Sequence, residues 1–437
     1  MNKGLRSWGQ YPDHPQLGHR AHWREQLPEL VATTAAQAGS TLPFGNGRSY
    51  GDSCLASSDE VIALRSLNRF MDVDWQHGIV TAEAGATLAE LLALCLPHGW
   101  FPGVTPGTRF VTLGGAIAND VHGKNHHRRG TFGTGVRAFG LLREGQVLRC
   151  SAAENTELFR ATIGGLGLTG IVTWVELQLM PVGSRQINVT QQRFAGLDEF
   201  FQLSGELDHQ HEYAVAWIDC IARGAQTGRG VYFCGDHGDS GTLDWHDSKT
   251  LSMPVTPPMS LVNGLSLRAF NQLYWHRHAA RRVTYQQDCL PFFYPLDSIL
   301  HWNRIYGRKG FQQYQCIIPE AHAQDVTRAL LAEIAASGQG SFLAVLKRCG
   351  DIPSPGLLSF PLPGTSLALD FPQHPDLERN LFPRLDKLVH EAGGRLYPAK
   401  DAHMRGEDFR AAYPAWEQLE ALRDPALNSR FWQRVTQ

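Results

Sequence analysis

The chain of 437 residues lacks several features that would place it in a simple class. No stretch approaches the ~18 consecutive apolar residues of a membrane-spanning helix. The start, MNKGLRSWGQYPDHPQ, has no apolar run behind its basic residues and does not read as a signal peptide. Cysteine is sparse: eight residues, none in a CxxC pair and none at a zinc spacing with histidine. A chain with this much core material is no disulfide-stapled miniprotein, and the expectation is reduced, mostly buried thiols in a cytoplasmic protein. Neither sign of charge prevails, with 40 Lys and Arg against 42 Asp and Glu, so no bulk charge would draw the chain to nucleic acid. Only 19% of residues are charged and 43% are hydrophobic, which excludes a disordered chain. At roughly 100–200 residues per domain the length predicts two or three domains. What is plentiful is glycine (44) and tryptophan (11), a pairing that suits backbone approaching a large ligand.

Residues 25 to 180 alternate short β-rich runs with Gly-rich turns. VIALRSL, GIVTAEAG and GIVTWVELQLM read as strands, because β-branched residues dominate them and Gly or Pro stands nearby. In TLAELLALCLPHGW, Leu88, Leu91, Leu92 and Cys95 recur at helical spacing, with Thr87 as cap and Gly99 as stop. A second helix is predicted over NTELFRATIGG with Asn155 as cap. From 185 to 390 longer β-like runs appear (EYAVAWIDCIA, GRGVYFCG, FQQYQCIIP, SFLAVLKRCG, SLALDFP), with a helix over AHAQDVTRALLAEIAASG. This predicts an α+β arrangement with an antiparallel sheet. The polar stretch 236–264 reads as a long loop. The segment GGRLYPAKDAHMRGEDFRAAYP predicts a glycine turn, a strand and a helix.

Three segments carry chemistry. PFGNGRSYGDS places Gly45, Gly47 and Gly51 around Asn46, Arg48 and Ser49. Such a turn can present free backbone N–H groups to a phosphate. It is neither GxGxxG nor a P-loop, and an ordinary Gly-rich turn is the plain alternative. TPGTRFVTLGGAIANDVHGKNHHRRGTFG and GGLGLTGIVTWVEL are equally bare of side chains. Together they suit one extended dinucleotide held by backbone contacts. His122 and His126 stand four apart. Gly123 disfavours a helix there, Lys124 would repel a cation and no Glu intervenes, so no metal site is predicted. His126, His127, Arg128 and Arg129 read as a solvated basic surface. Gln313 and Gln315 share one face of a strand, with Tyr314 opposite.

These motifs, with KGFQQYQ, LKRCG, SFPLPG, LALDFP and GGRLYPAKD, make the chain resemble the vanillyl-alcohol oxidase/p-cresol methylhydroxylase family of FAD enzymes, and within it the decaprenylphosphoryl-β-D-ribose 2′-oxidase group. They run in family order along most of the chain; residues 185–290 match less well. The resemblance implies an α+β, two-domain FAD-binding fold. Residues 1–184 would form the FAD-binding domain, 185–392 an antiparallel-sheet substrate domain, and 393–437 a segment returning to the first.

It further implies that Gly45, Asn46, Gly47, Arg48, Ser49, Tyr50 and Gly51 hold the diphosphate and the flavin face. Gly107, Thr112, Gly114, Gly115, Asn119 and His122 would line the rest of the cofactor. Gly170 with Ile171 or Val172 would meet the adenine or ribose end, and Tyr397 the isoalloxazine. Tyr50 stands near the position where some members carry a flavin-tethering His, so non-covalent FAD is expected. Lys400, in GGRLYPAKD, resembles the family lysine at the flavin's reactive edge. A cation or base beside the substrate hydroxyl helps its proton leave as the hydride passes to flavin N5. The plain alternative is a surface lysine paired with Asp401. His122 and Lys124 are placed beside the flavin as further catalytic candidates. Gln315, Lys347, Tyr50, Trp217 and Ser366 are substrate-binding candidates; Asp297 is a weaker one, and Tyr294 reads as core packing.

In the group, Asn and Cys stand where this chain has Ser366 and Ala368, and an aromatic residue stands at Cys349. Chemistry requiring that thiol is expected to be absent, while hydride transfer is not. The implied reaction is oxidation of a sugar's secondary hydroxyl to a ketone, the sugar carried on a polyprenyl phosphate or another glycolipid. A short-chain reductase could then complete an epimerisation, and any membrane contact would be peripheral. An oxygen-using aldonolactone or alditol oxidase and a non-catalytic flavin-binding protein are the alternatives.

Overall fold

The computed structural model describes residues 2–247 and 249–437. Helices and largely antiparallel sheets build an α+β fold. Among the described residues a four-stranded sheet joins Asn2–Leu5, Gln16–Arg20, Glu60–Ala63 and Pro43–Phe44 in that order. Beside it a six-stranded antiparallel sheet is centred on Ile171–Pro181, which pairs with Ile79–Glu83, Val136–Arg143 and Trp100–Pro102. The helix Leu88–Cys95 buries Leu88, Leu91, Leu92 and Cys95, as the spacing predicts. Thr87 caps it, accepting from the Glu90 amide while Glu90 reaches back to the Thr87 amide at 2.8 Å. Gly99 follows at φ 77°, a left-handed conformation that favours glycine.

The third sheet positions the site. Its strand order is Arg282–Asp288, Gln186–Phe194, Gly230–His237, Tyr213–Ile218, Ala344–Cys349, Gly364–Pro372, Phe311–Pro319 and Arg395–Leu396. Every pairing in it is antiparallel. Side chains alternate across a strand. One set (Ala216, Ile218, Tyr314, Cys316, Leu346, Leu367, Leu369) is buried in the main core with apolar residues of the helices Leu197–Leu207, Ala323–Ser337 and Phe382–Glu391. Truncating a Leu in such a packed layer costs roughly 2–5 kcal/mol. The other set (Gln313, Gln315, Val345, Lys347, Ser366, Ala368, Asp370, Val215, Trp217) faces a cavity.

Four local expectations are corrected. The VIALRSL strand ends at Ala63, because the chain turns with the Leu67 amide donating to the Leu64 carbonyl. The strand in GGRLYPAKD is only Arg395–Leu396: Pro398 cannot donate to a ladder, and the amides of Lys400 and Asp401 fold back onto the Tyr397 carbonyl. Asn155 precedes the helix Thr156–Thr162 but does not cap it through its side chain. It sits at φ 48°, and its amide donates to the Arg149 carbonyl. Finally, 236–264 is not a loop throughout. The strand before it runs to His237, and Leu251–Ser252 pairs with Ile299–Leu300. Directly after it comes a helix the sequence reading missed, Gly264–Arg277, capped by Asn263. That helix buries only Leu267 and Asn271, so its apolar period is faint. All eight cysteines are unbridged, and seven are buried.

Candidate active site

One cavity of about 710 Å³ lies between the third sheet and the Gly-rich segments. That is within the usual range for a ligand pocket, roughly 300–1,000 Å³. Its lining runs from Gly45–Tyr50 past Gly107, Thr112, Gly114, Gly115, Asn119 and His122 to Gly170 and Tyr397. Gln315, Lys347, Ser366, Trp217, Lys124 and Lys400 line it as well. Nearly all residues singled out in the sequence therefore converge on one space.

The first Gly-rich turn is anchored from outside. The Trp8 amide donates to the Ser49 carbonyl at 2.8 Å, and the Tyr50 amide to the Ala399 carbonyl at 2.9 Å. Among the described residues, the backbone N–H groups of Gly45, Asn46, Gly47, Arg48 and Ser49 meet no acceptor in the chain. A row of such donors lining a cavity is matched by an anion. The turn holds its shape through Gly47 at φ 59° and through the Asn46 side chain, which donates to the Phe110 carbonyl at 2.8 Å. The Arg48 guanidinium lies 4.0 Å from the Trp8 ring centroid, and its Nε is buried without a partner. Gly107 opens directly on the cavity, with no atom within 4 Å of where a Cβ would stand. Free amides, an orphaned guanidinium nitrogen and a bare wall fit a dinucleotide with its diphosphate at this turn.

Beside the same turn the Lys400 Nζ lies 3.4 Å from the Tyr50 ring centroid. Burial pulls its pKa below the ordinary lysine value, and Asp370 pulls it part of the way back. Burial raises the Asp370 carboxyl, against the hydrogen bond from Gln313 Nε2 (2.6 Å) and the charge of Lys400. Asp401, the alternative partner, is engaged elsewhere: it takes Arg434 at 2.9 Å and His403 at 3.3 Å. The surface-lysine reading is thus overturned.

His122 is buried against Tyr397 and Phe360, with Gln315 Nε2 3.1 Å from its Nε2. Burial, then the charge of Lys347, holds its pKa well below the usual histidine value, so the ring is neutral. Among the described residues its Nδ1 has no partner. Tyr397 donates its hydroxyl to the Asn119 carbonyl at 2.8 Å, tying the C-terminal segment to the second Gly-rich segment.

Other candidates take roles different from those expected. Gly51 is not in the lining. A Cβ there would stand 1.6 Å from the Asp401 carbonyl oxygen, so this glycine serves a close backbone contact. Ile171 points away from the cavity into a cluster with Leu142 and Ile62, and alternation along its strand puts Val172 in the lining instead. Trp217 forms an apolar wall, since its indole N–H is spent on the Phe342 carbonyl at 3.0 Å. Lys124 donates to the Phe293 carbonyl at 3.1 Å, and Lys347 to the Gly123 carbonyl at 2.9 Å. Tyr294, in contrast, is core as expected, bonded to Thr105 Oγ1. Asp297 accepts the Arg109 amide at 2.8 Å at the cavity edge. The basic run divides: His126 is buried, whereas Arg128 and Arg129 are exposed.

The sequence reading missed Asp370, although an acid inside the apolar strand LALDFP, two and four residues from Ala368 and Ser366, was a usable signal. It missed Phe270 and Tyr274 because their helix has almost no apolar period. It also missed Asp120, buried behind the cavity, which binds Ser354 and Ser359 at 2.5 Å each.

Comparison with known proteins agrees with this geometry. A family model described as an FAD binding domain matches residues 15–151. The chain is 35% identical over 424 residues to a decaprenylphosphoryl-beta-D-ribose oxidase of Mycolicibacterium smegmatis, covering 91% of this chain and 90% of that protein. It is 33% identical over 159 residues to L-gulonolactone oxidase of Bos taurus, 36% of each chain. To cytokinin dehydrogenase 5 of Arabidopsis thaliana it is 26% identical over 191 residues, 40% of this chain and 34% of that protein. The cofactor is FAD, and the protein belongs to the vanillyl-alcohol oxidase/p-cresol methylhydroxylase family of FAD-dependent oxidoreductases.

Proposed function

We propose that the protein oxidises a secondary hydroxyl of a sugar carried on a polyprenyl phosphate or related glycolipid, giving a ketone. The observation that carries this reading is the half-buried Lys400, held over Tyr50 in a cavity that also offers Gln315 and a neutral His122. FAD, when bound, supplies the hydride acceptor. Lys400 is the proton acceptor for the substrate hydroxyl, because burial favours its uncharged form. Gln315 and His122 orient neighbouring hydroxyls, and Ser366 extends that polar wall. The aromatic walls of Trp217, Phe270, Tyr274 and Phe342 exclude water and suit an apolar carrier. Tyr50 stacks beside the reacting centre and leaves FAD non-covalently held.

In this reading residues 1–184 and 393–437 hold the cofactor and 185–392 bind the substrate. The ketone would pass to a separate short-chain reductase. The helix Gly264–Arg277 lines the cavity with Phe270 and Tyr274, while Leu265 and Leu273 on it are exposed. Met259 and Leu251 nearby are exposed as well. No acidic residue stands between Asp247 and Asp288, whereas Lys249, Arg268, Arg277, Arg281 and Arg282 do. An apolar surface ringed by cations suits peripheral contact with an anionic bilayer, the source of a lipid-linked substrate.

The test is an anaerobic absorbance titration of the FAD-loaded protein. Bleaching of the flavin by a polyprenylphosphoryl pentose, and not by free alditols or aldonolactones, is the expected result. Bleaching by the soluble compounds alone would move the protein to the small-sugar oxidases. No bleaching by any of them would overturn the oxidase reading.

A further inference from the structure

Lys124 and Lys347 approach one part of the cavity from opposite sides of the fold. Lys124 comes from the second Gly-rich segment, Lys347 from the strand Ala344–Cys349. The side chain of Lys347 reaches across to the carbonyl of Gly123, the residue next to Lys124. Each ammonium spends one hydrogen on a backbone carbonyl, leaving two donors apiece. Among the described residues neither has a carboxylate within salt-bridge distance. The acids of the cavity wall are engaged elsewhere: Asp370 accepts from Gln313, and Asp297 from the Arg109 amide. Lys124 is pushed down to about 8 by burial and then by the charge of Lys347, and Lys347 to about 8 by burial. Both remain mostly charged at neutral pH. Two half-buried cations that line one cavity without a counter-charge are unfavourable, and an anion between them offsets the cost.

The row of free amides at Gly45–Ser49 fits the diphosphate of FAD, which leaves this pair for a different anion. Beyond it the lining turns aromatic, with Trp217, Phe270, Tyr274 and Phe342. An anionic head beside an apolar channel describes an amphiphilic phosphate ester. We infer that Lys124 and Lys347 form the subsite for the phosphate of the lipid-linked substrate, at the inner end of an aromatic channel that takes its chain. The inference rests on the glycolipid reading but concerns binding, so the two fail separately.

The experiment compares farnesyl phosphate with farnesol as ligands of the FAD-loaded protein, read by perturbation of the flavin spectrum without turnover. The wild-type protein is expected to bind the phosphate at least about tenfold more tightly, since hydrogen bonds to charged groups are the strong ones. K124M and K347M should each reduce that preference about tenfold, and K347R should retain most of it. Flavin content and midpoint potential should stay unchanged. A wild-type preference below threefold would overturn the inference, whatever the variants do. So would a preference intact in both methionine variants, or a flavin potential that moves while the preference stays, which would assign the lysines to the cofactor. If farnesyl phosphate binds as expected but the lipid-linked pentose leaves the flavin oxidised, the subsite stands and the oxidase reading falls.

Discussion

Lys400 and Tyr50, from opposite ends of the chain, meet with the ammonium 3.4 Å from the ring centroid. Tyr50 is also tied to the residue before Lys400, its amide donating to the Ala399 carbonyl at 2.9 Å. The turn whose free amides fit a diphosphate is thus braced by the segment that carries the proposed proton acceptor. In the proposed function, binding and chemistry share one support.

That arrangement sets a pH dependence. Lys400 is pulled down by burial and held partly up by Asp370, so with the neutral amine as base the rate of flavin reduction rises as pH rises through its pKa. Asp370→Asn removes the upward pull and should move this limb to lower pH. Lys400→Met should slow flavin reduction by about 10²–10⁴-fold with FAD retained, the usual weight of a general base. Stopped-flow reduction between pH 5 and 9 measures both; a limb that stays in place in the Asp370 variant would remove Lys400 from the role.

Gly51 tests the brace. A Cβ would meet the Asp401 carbonyl at 1.6 Å, a clash with backbone that no rotamer relieves. G51A should lower FAD content after purification and depress thermal stability. Gly205→Ala, in a helix with open space around it, should do neither.

Arg434 is the clamp behind the same segment. It bonds Asp52 at 2.8 Å and Asp401 at 2.9 Å, both buried carboxylates. Arg434→Met leaves two buried acids without their cation, and the loss is expected at about 3–5 kcal/mol near neutral pH. Asp401 is raised by burial, but Arg434 and His403 bring it below its ordinary value. Its contribution is therefore present above the unfolded pKa and is lost as pH falls through the folded one. Urea denaturation should show a smaller gap between wild type and variant at pH 3, below the ordinary Asp value of 3.8, than at pH 7.

The apolar and basic surface around Leu265 predicts binding to anionic vesicles. Co-sedimentation with phosphatidylglycerol vesicles should exceed that with phosphatidylcholine and should fall with added salt. A Leu265→Asp, Leu273→Asp double variant should lose most of it while soluble FAD content is unchanged. Equal binding to both vesicle types would remove the electrostatic part of the proposal.

Local periodicity made much of the fold legible. The spacing of Leu88, Leu91, Leu92 and Cys95 required one buried helical face, and the strand Phe311–Pro319 matches its sequence run residue for residue. Alternation put Gln313 and Gln315 on one face. The helix Gly264–Arg277 was illegible because it buries almost nothing, so no apolar stripe marks it.

What the sequence by itself determined is the set of bare, Gly-rich segments, the alternation of each strand and the lysine in GGRLYPAKD. Those are local properties, written in backbone freedom and in the period of side chains. The tertiary structure alone decided that Val172 and not Ile171 faces the cavity, that Gly51 serves Asp401, and that Asp401 belongs to Arg434 and leaves Lys400 to Tyr50 and Asp370. Each of these depends on segments far apart in the chain coming within a few ångströms. Burial and partner there set the charge and reach of every group, and neither is encoded in any one stretch of residues.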